Sequence, residues 1–99
     1  MKAPIFYYVD HTSRFEHNSG IQRCVRLLAS ALIEEGQALI PVVWDRHRQR
    51  FVPPSTQRLT HLARWNGPSL EAWHPWKDPA SLSSGWLLIV ELVCGLRVD

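Results

Sequence analysis

Apolar residues follow two different periods along the first half of the chain, and the alternation predicts a β–α–β unit. Residues 5–10, IFYYVD, form a continuous run of β-branched and aromatic residues, which is typical of a buried strand. Residues 37–44, QALIPVVW, repeat this pattern. Between the two runs, apolar residues recur every three or four positions over 20–35, which predicts an amphipathic helix. A polar loop over residues 11–18 is expected to join the first strand to this helix.

Local sequence motifs predict where this helix begins and ends. Ser19 and Gln22 have the S-x-x-Q spacing of a capping box, with Ser19 as the N-cap, and Gly36 is expected to end the helix in a left-handed conformation. The residues expected to face the sheet are Ile21, Cys24, Val25, Leu28 and Leu32. The side chains expected to point away from it are Gln22, Arg23, Arg26 and Ser30.

The second half of the chain has a weaker pattern. A short return strand is expected to end at Pro53, and residues 56–65 predict a short helix. Residues 66–85 are rich in turn formers and predict a loop, with a single helical turn near residues 70–73. Residues 86–92, WLLIVEL, predict a third buried strand.

These elements predict an α/β fold, a partial Rossmann-like half-domain. It has a three-stranded, mostly parallel sheet with one strong and one weak helix. Both faces of a parallel sheet need helices, and this chain supplies too few of them. We therefore expect residues 1–99 to form a single but incomplete N-terminal Rossmann-like domain.

Composition narrows the function classes. The chain has 99 residues, 45% of them hydrophobic and 20% charged, as in an ordinary globular domain, and a net charge of +2 is too small to indicate nucleic acid or membrane by itself. The apolar stretch 86–96 is interrupted by Glu91 and is shorter than the roughly 20 residues that span a bilayer. The two cysteines are expected to be buried free thiols. We therefore expect a soluble protein in the cytoplasm.

Acidic residues follow each predicted strand, where ligands bind in open parallel sheets. These residues are Asp10, Asp45 and Glu91, although polar strand ends also occur for solubility alone. Asp10 is the strongest candidate because it is expected to face the loop at Gly20. His11, beside the same strand end, is the one histidine that we consider for a site.

Gly20 stands at the mouth of the first helix, where backbone N–H groups and the helix dipole favour anions. Two interpretations stay open: a phosphate or sugar approaches the backbone there, or the glycine only lets the turn pack tightly. Arg23, one turn further, opposes the dipole and is expected to pair with a carboxylate such as Asp10, with a ligand, or with a surface acid.

The sequence gives little support for a metal site, a serine nucleophile or a phosphate-binding run. No histidine or cysteine pair has a metal-binding spacing, no G-x-S-x-G motif occurs, and we expect neither a metal nor a cofactor. The run RHRQR, residues 46–50, lies between Trp44 and Phe51 and could contact phosphates, but such runs are more often exposed hairpin tips.

The segment YYVDHTSRFEHNSGIQRCVRLLASALIEEG, residues 7–36, resembles the start of bacterial GT-B fold glycosyltransferases. The resemblance is to the large retaining family 4 type, which includes many polysaccharide mannosyl- and rhamnosyltransferases. In one subgroup the first helix opens with a "tGIqRv" motif, which corresponds to residues 19–24. ALIPVVWD, residues 38–45, resembles that subgroup's second strand, and residues 86–92 loosely resemble a later strand.

The resemblance implies substrate-binding roles around an interdomain cleft. The residues concerned are Asp10, His11, Ser19, Gly20, Arg23 and Glu91. It also implies a nucleotide-sugar donor and a glycan acceptor in polysaccharide or glycan biosynthesis. The family's donor-binding domain with its E-x7-E motif has no counterpart here, and Val90 stands where the family more often has proline. The expected function is therefore an acceptor-side glycosyltransferase fragment that is inactive alone.

Two alternatives stay open. A small protein-interaction module would use an exposed strand edge and the tryptophans, and the same edge would allow self-association. A nucleic-acid-binding module would use Arg46, Arg48 and Arg50 and would bind more weakly as salt rises. This second alternative ranks last, since no nucleic-acid partner is expected, and peripheral membrane association is a further expectation.

Overall fold

A computed structural model of the chain describes residues 4–14, 16–78 and 86–88. It confirms the α/β class: helices pack on an open four-stranded sheet of order β3-β2-β1-β4. The strands are β1 (Ile5–Tyr8), β2 (Leu39–Asp45), β3 (Arg50–Val52) and β4 (Trp86–Leu88). The helices are α1 (Asp10–Arg14), α2 (Gly20–Glu34) and α3 (Thr56–Ala63), and a short 3₁₀ helix covers Leu70–Ala72.

Strand β1 lies between two parallel neighbours. Ile5 is opposite Leu39 of β2 and Trp86 of β4, while β2 pairs antiparallel with β3. The three-stranded expectation was therefore one strand short, because the return strand before Pro53 joins the sheet. A hairpin needs only a short turn to bring β3 back beside β2, so this addition is local.

Helix α2 forms where its sequence signals predicted. The capping box is present, with the Ser19 backbone N–H donating to Gln22 Oε1 at 2.9 Å. Gly36 has a φ of 91° and ends the helix, because its left-handed conformation lets the following N–H groups reach back. The Gln37 N–H accordingly donates to Leu32 O at 3.0 Å.

The described helices cover one face of the sheet. Alternate strand residues such as Tyr7 and Leu39 pack with Val25 of α2 and Leu62 of α3, and the Tyr7 hydroxyl donates to Val25 O at 2.7 Å. The other face carries a separate buried cluster of Phe6, Ile40 and Val42. Within the described residues, no helical side chain joins that second cluster, which differs from a sheet with helices on both faces.

Two expectations about the first helical region were wrong. The predicted polar loop begins instead with the short helix α1, whose Thr12 and Ser13 are buried. The buried side of α2 is also rotated from the predicted one: Gln22 and Arg26 are buried, whereas Leu28 is 36% exposed. The reason is tertiary, because α1 and α3 pack together beside α2 and cover that flank of it.

The cysteine expectation was also wrong. Cys24 is disulfide-bonded and not a free thiol, and Cys94 lies outside the described residues. Disulfides persist mainly in oxidising compartments, so the cysteines give no argument for a reducing one. None of the helices in the described part of the chain has the length and apolar character that a membrane crossing requires.

Candidate functional site

Two clefts open next to helix α1. The first, here called the strand-end cleft, lies at the carboxyl ends of β1 and β2 and has a volume of about 360 Å³. Its lining residues are Asp10, Arg14, Val43, Trp44, Asp45, Arg46, His47, Val52, Pro53, Ser55 and Arg58. Two of the acidic residues that follow predicted strands, Asp10 and Asp45, are therefore part of the same cleft.

Asp10 is the centre of an ion-pair network in the strand-end cleft. Its side chain accepts from Arg14 Nη2 at 2.6 Å and from Arg58 Nη1 at 3.3 Å, and the residue is only 8% exposed. Arg58 Nη1 also donates to Ser13 Oγ at 3.2 Å. Two cations thus compensate one buried carboxylate, and Arg58 fixes α3 against α1.

Asp45 serves the hairpin turn that follows β2. Its Oδ1 accepts the backbone N–H groups of His47 at 2.9 Å and Arg48 at 3.2 Å. The basic run is partly neutralised, since Arg48 lies 3.7 Å from Asp45 and Arg50 lies 2.7 Å from Asp78. This geometry favours the hairpin-tip interpretation of residues 46–50 over a phosphate-binding one.

The second cleft, here called the tryptophan cleft, lies on the other side of α1 and has a volume of about 710 Å³. Its lining residues are Arg14, Glu16, His17, Asn18, His61, Arg64 and Trp65. Arg14 lines both clefts, so the two openings meet at this side chain.

Backbone carbonyl groups hold the side chains of the tryptophan cleft. Trp65 Nε1 donates to Glu16 O at 2.6 Å, and His61 Nδ1 lies 2.9 Å from Ser13 O. Because a carbonyl oxygen only accepts, we infer that His61 Nδ1 carries a proton and donates it to Ser13 O.

Arg26 holds residues that line the tryptophan cleft in place. Its guanidinium is fully buried and donates to His17 O at 2.6 Å, His61 O at 2.9 Å and Asn18 Oδ1 at 3.1 Å. Burial lowers the pKa of Arg26 from its usual value, and the positive charge of Arg64 adds to this effect. Arg26 therefore connects α2 to the segment before it and to α3.

The structure places the sequence-predicted site residues apart. Asp10 lines the strand-end cleft, but it pairs with Arg14 and Arg58 and not with Arg23. Ser19, Gly20 and Arg23 are exposed at the mouth of α2, and neither cleft includes them.

The two remaining predicted positions are His11 and Glu91. His11 is exposed on α1 and lines neither opening. Glu91 lies outside the described residues, so its predicted role stays a prediction.

Gly20 has open space in front of it. A Cβ placed there would meet no atom within 4 Å, so tight packing of the turn does not explain the glycine. The Arg23 side chain likewise makes no ion pair among the residues that the structure describes. The expected Arg23–Asp10 pairing is therefore wrong, because α1 and α3 supply nearer cations to Asp10.

Sequence reasoning missed four residues of this region: Arg26, Arg58, His61 and Trp65. One signal for Arg26 was available, since Gln22, Arg26 and Ala29 recur at helical spacing next to Val25 and share its buried side. The other three had no local signal, because their partners lie 48 or 49 positions away in the chain.

Within the described ranges, no group of three or more His, Cys, Asp or Glu side chains could hold a metal ion. No protein-family model, no curated protein and no solved structure matches the chain. The function must therefore be argued from the two clefts and from the residues that line them.

Proposed function

We propose that this chain is the N-terminal, acceptor-side part of a glycosyltransferase. The whole enzyme would transfer a sugar from a nucleotide-sugar donor to a glycan acceptor, and this part would be inactive alone. The observation that carries the proposal is the charged strand-end cleft at the carboxyl ends of two adjacent parallel strands, the position where open α/β sheets bind ligands.

The topology supports this proposal. The parallel strands β2, β1 and β4, with β1 and β2 joined through helices, are what one half of a Rossmann-like sheet would contain, whereas the antiparallel β3 would be an addition to it. Such a half leaves its strand ends open on one side, and a second domain would close them. The open space at Gly20 also leaves room for a ligand beside the first turn of α2.

The basic hairpin makes the nucleic-acid alternative weaker. Arg48 and Arg50 each lie beside a carboxylate, so the run offers less net positive charge than its sequence indicates. Binding to phosphates would have to break these pairs, although exposed pairs are worth only about 0–1 kcal/mol each.

The first experiment is to read the encoding DNA downstream of codon 99 in all three frames. The proposal expects a second Rossmann-like domain with an E-x7-E motif in one of them. A downstream region that encodes no such domain in any frame would contradict the proposal.

A second test uses the purified chain with radiolabelled nucleotide-sugars and glycan acceptors. Because the chain contains no E-x7-E spacing, we expect no transfer and no donor hydrolysis above background. Clear sugar transfer by the purified chain would contradict the proposal that this part of the enzyme is inactive alone.

A further inference from the structure

Trp65 is held at the rim of the tryptophan cleft in a conformation that costs energy. Its φ is 56° and that of Asn66 is 64°, so two consecutive non-glycine residues are left-handed. At Trp65 this conformation costs about 1–2 kcal/mol relative to the right-handed region, whereas asparagine adopts it more readily. Strain of this kind persists only where the surrounding structure enforces it, and it concentrates at functional sites.

The surrounding structure does enforce this turn. Asn66 O accepts from Ser30 Oγ at 2.9 Å, and the Gly67 N–H donates to Arg64 O at 2.9 Å. A Cβ on Gly67 would overlap Leu62 O, so only glycine fits there. The turn is anchored to both α2 and α3, yet the large apolar side chain that it positions remains 52% exposed.

The chemistry around Trp65 fits a hydroxyl-rich ligand with an apolar face. The indole is electron-rich on both faces, one of which has the Arg64 guanidinium 5.9 Å from the ring centroid, and six other lining side chains carry polar ends, including Asn18 and His61. One polar edge of the indole is already used, since Nε1 donates to Glu16 O. A pyranose ring has the matching combination, with C–H groups on its faces and hydroxyl groups around its edge.

One cation of the cleft can attract an anionic group. Arg14 is held by Asp10 at 2.6 Å, whereas Arg64 has, among the described residues, only the exposed carboxylate of Glu16 as its ion-pair partner. The Arg64–Glu16 pair is loose, with an N–O distance of 3.5 Å and more than half of each side chain exposed. Exposed pairs of this kind contribute little, so a carboxylate on the ligand can take the place of Glu16.

We propose that the tryptophan cleft binds a saccharide that carries a carboxylate, with a pyranose ring stacked on Trp65 and the carboxylate beside Arg64. A uronic acid residue has this chemistry. This proposal concerns saccharide binding alone, so its test is independent of whether the chain takes part in sugar transfer.

Saturation-transfer NMR on the purified 99-residue chain tests the proposal with glucuronate as the probe and glucose as its uncharged counterpart. Each is used at about 10 mM, which populates a site of millimolar Kd. We expect glucuronate to bind about tenfold more tightly than glucose, the effect of one charge-assisted hydrogen bond. Uridine monophosphate serves as a third probe, because a nucleobase could also stack on an indole.

Variants separate the two contacts. Trp65→Ala should abolish transfer to both sugars, whereas Arg64→Gln should remove the preference for glucuronate and keep glucose binding. Trp65→Phe keeps an aromatic face and should retain weakened binding, which covers the case in which the alanine variant does not fold. Leu27→Ala, an exposed change on α2 outside both clefts, is the matched control and should change nothing.

Three results would overturn the proposal. They are the absence of saturation transfer to glucuronate, equal affinity for glucuronate and glucose, and tighter binding of uridine monophosphate than of glucuronate. Circular dichroism of each variant establishes that the losses come from the cleft and not from unfolding.

Discussion

The two clefts on either side of α1 share Arg14 but satisfy their polar groups in different ways. In the strand-end cleft, the charges satisfy one another, since Asp10 is held by Arg14 and Arg58. At the tryptophan cleft, backbone carbonyl groups hold Trp65 and His61 of the lining, and they also hold Arg26 next to it. Carbonyl partners position a cation or a ring without neutralising it.

This difference has a consequence for function. A ligand in the strand-end cleft must compete with carboxylates that are already in place, and Asp10 is nearly buried. A ligand in the tryptophan cleft meets the side chains of Trp65 and His61, which backbone carbonyl groups have oriented, and the Glu16–Arg64 pair that it would displace is loose. The side chains of the tryptophan cleft are therefore better oriented to bind a ligand than those of the strand-end cleft, although the sequence had predicted a site at the strand ends.

The largest expected effect comes from Arg26, which supports the tryptophan cleft. Arg26→Met removes charge-assisted bonds from a buried guanidinium to the carbonyl groups of His17 and His61 and should destabilise the chain by about 3 kcal/mol in urea unfolding. Arg23→Met, three residues earlier on the exposed side of α2, is the matched control and should cost less than about 0.5 kcal/mol. Equal losses for the two variants would mean that the Arg26 contacts contribute nothing specific.

Replacement of Gly67 by alanine tests whether the turn that contains Trp65 and Asn66 is rigid, and the same replacement at Gly20 serves as a comparison. Gly67→Ala should destabilise by about 1–3 kcal/mol, because its Cβ would overlap Leu62 O. Gly20→Ala faces open space at the start of α2 and should be neutral or should stabilise by up to about 1 kcal/mol. Thermal melts of both proteins check this, and a stable Gly67→Ala variant would show that the turn can rearrange.

Removing the charge of Asp10 probes the strand-end cleft. Asp10→Asn keeps the shape of the side chain but breaks both ion pairs, and we expect a loss of about 1–2 kcal/mol. Asp45→Asn should stay within about 0.5 kcal/mol, since its pair with Arg48 is exposed and an amide oxygen can still accept the turn N–H groups. If Asp45→Asn costs as much as Asp10→Asn, the ion-pair network is not what holds this cleft.

The smallest expected effect on stability comes from Glu16. Glu16→Gln should change the free energy of unfolding by less than about 0.5 kcal/mol, because its pair with Arg64 is exposed. The backbone carbonyl that holds Trp65 is unaffected, so acrylamide quenching of tryptophan fluorescence should not change. Glucuronate should bind more tightly, since the competing carboxylate is gone, and weaker binding would show that Glu16 contributes to the site.

Much of the fold was predictable because its signals are local. The period of apolar residues defined α2, and Ser19 with Gln22 and Gly36 placed its two ends. Strand β2, the return strand and the helical turn near residue 70 were also found from neighbouring residues alone. Helix α1 was missed, because five mostly polar residues carry no apolar period.

Apart from α1, the sequence by itself therefore determined the helices and strands and their order along the chain, since caps, turns and periodicity act over a few residues. Only the tertiary structure decided which arginine of α2 is buried and which carboxylate is paired. Arg26 bonds to a carbonyl 35 positions away and Asp10 to an arginine 48 positions away. Trp65 depends on a carbonyl 49 positions before it. Such contacts exist only after α1, α2 and α3 have packed together, so no local pattern could specify them.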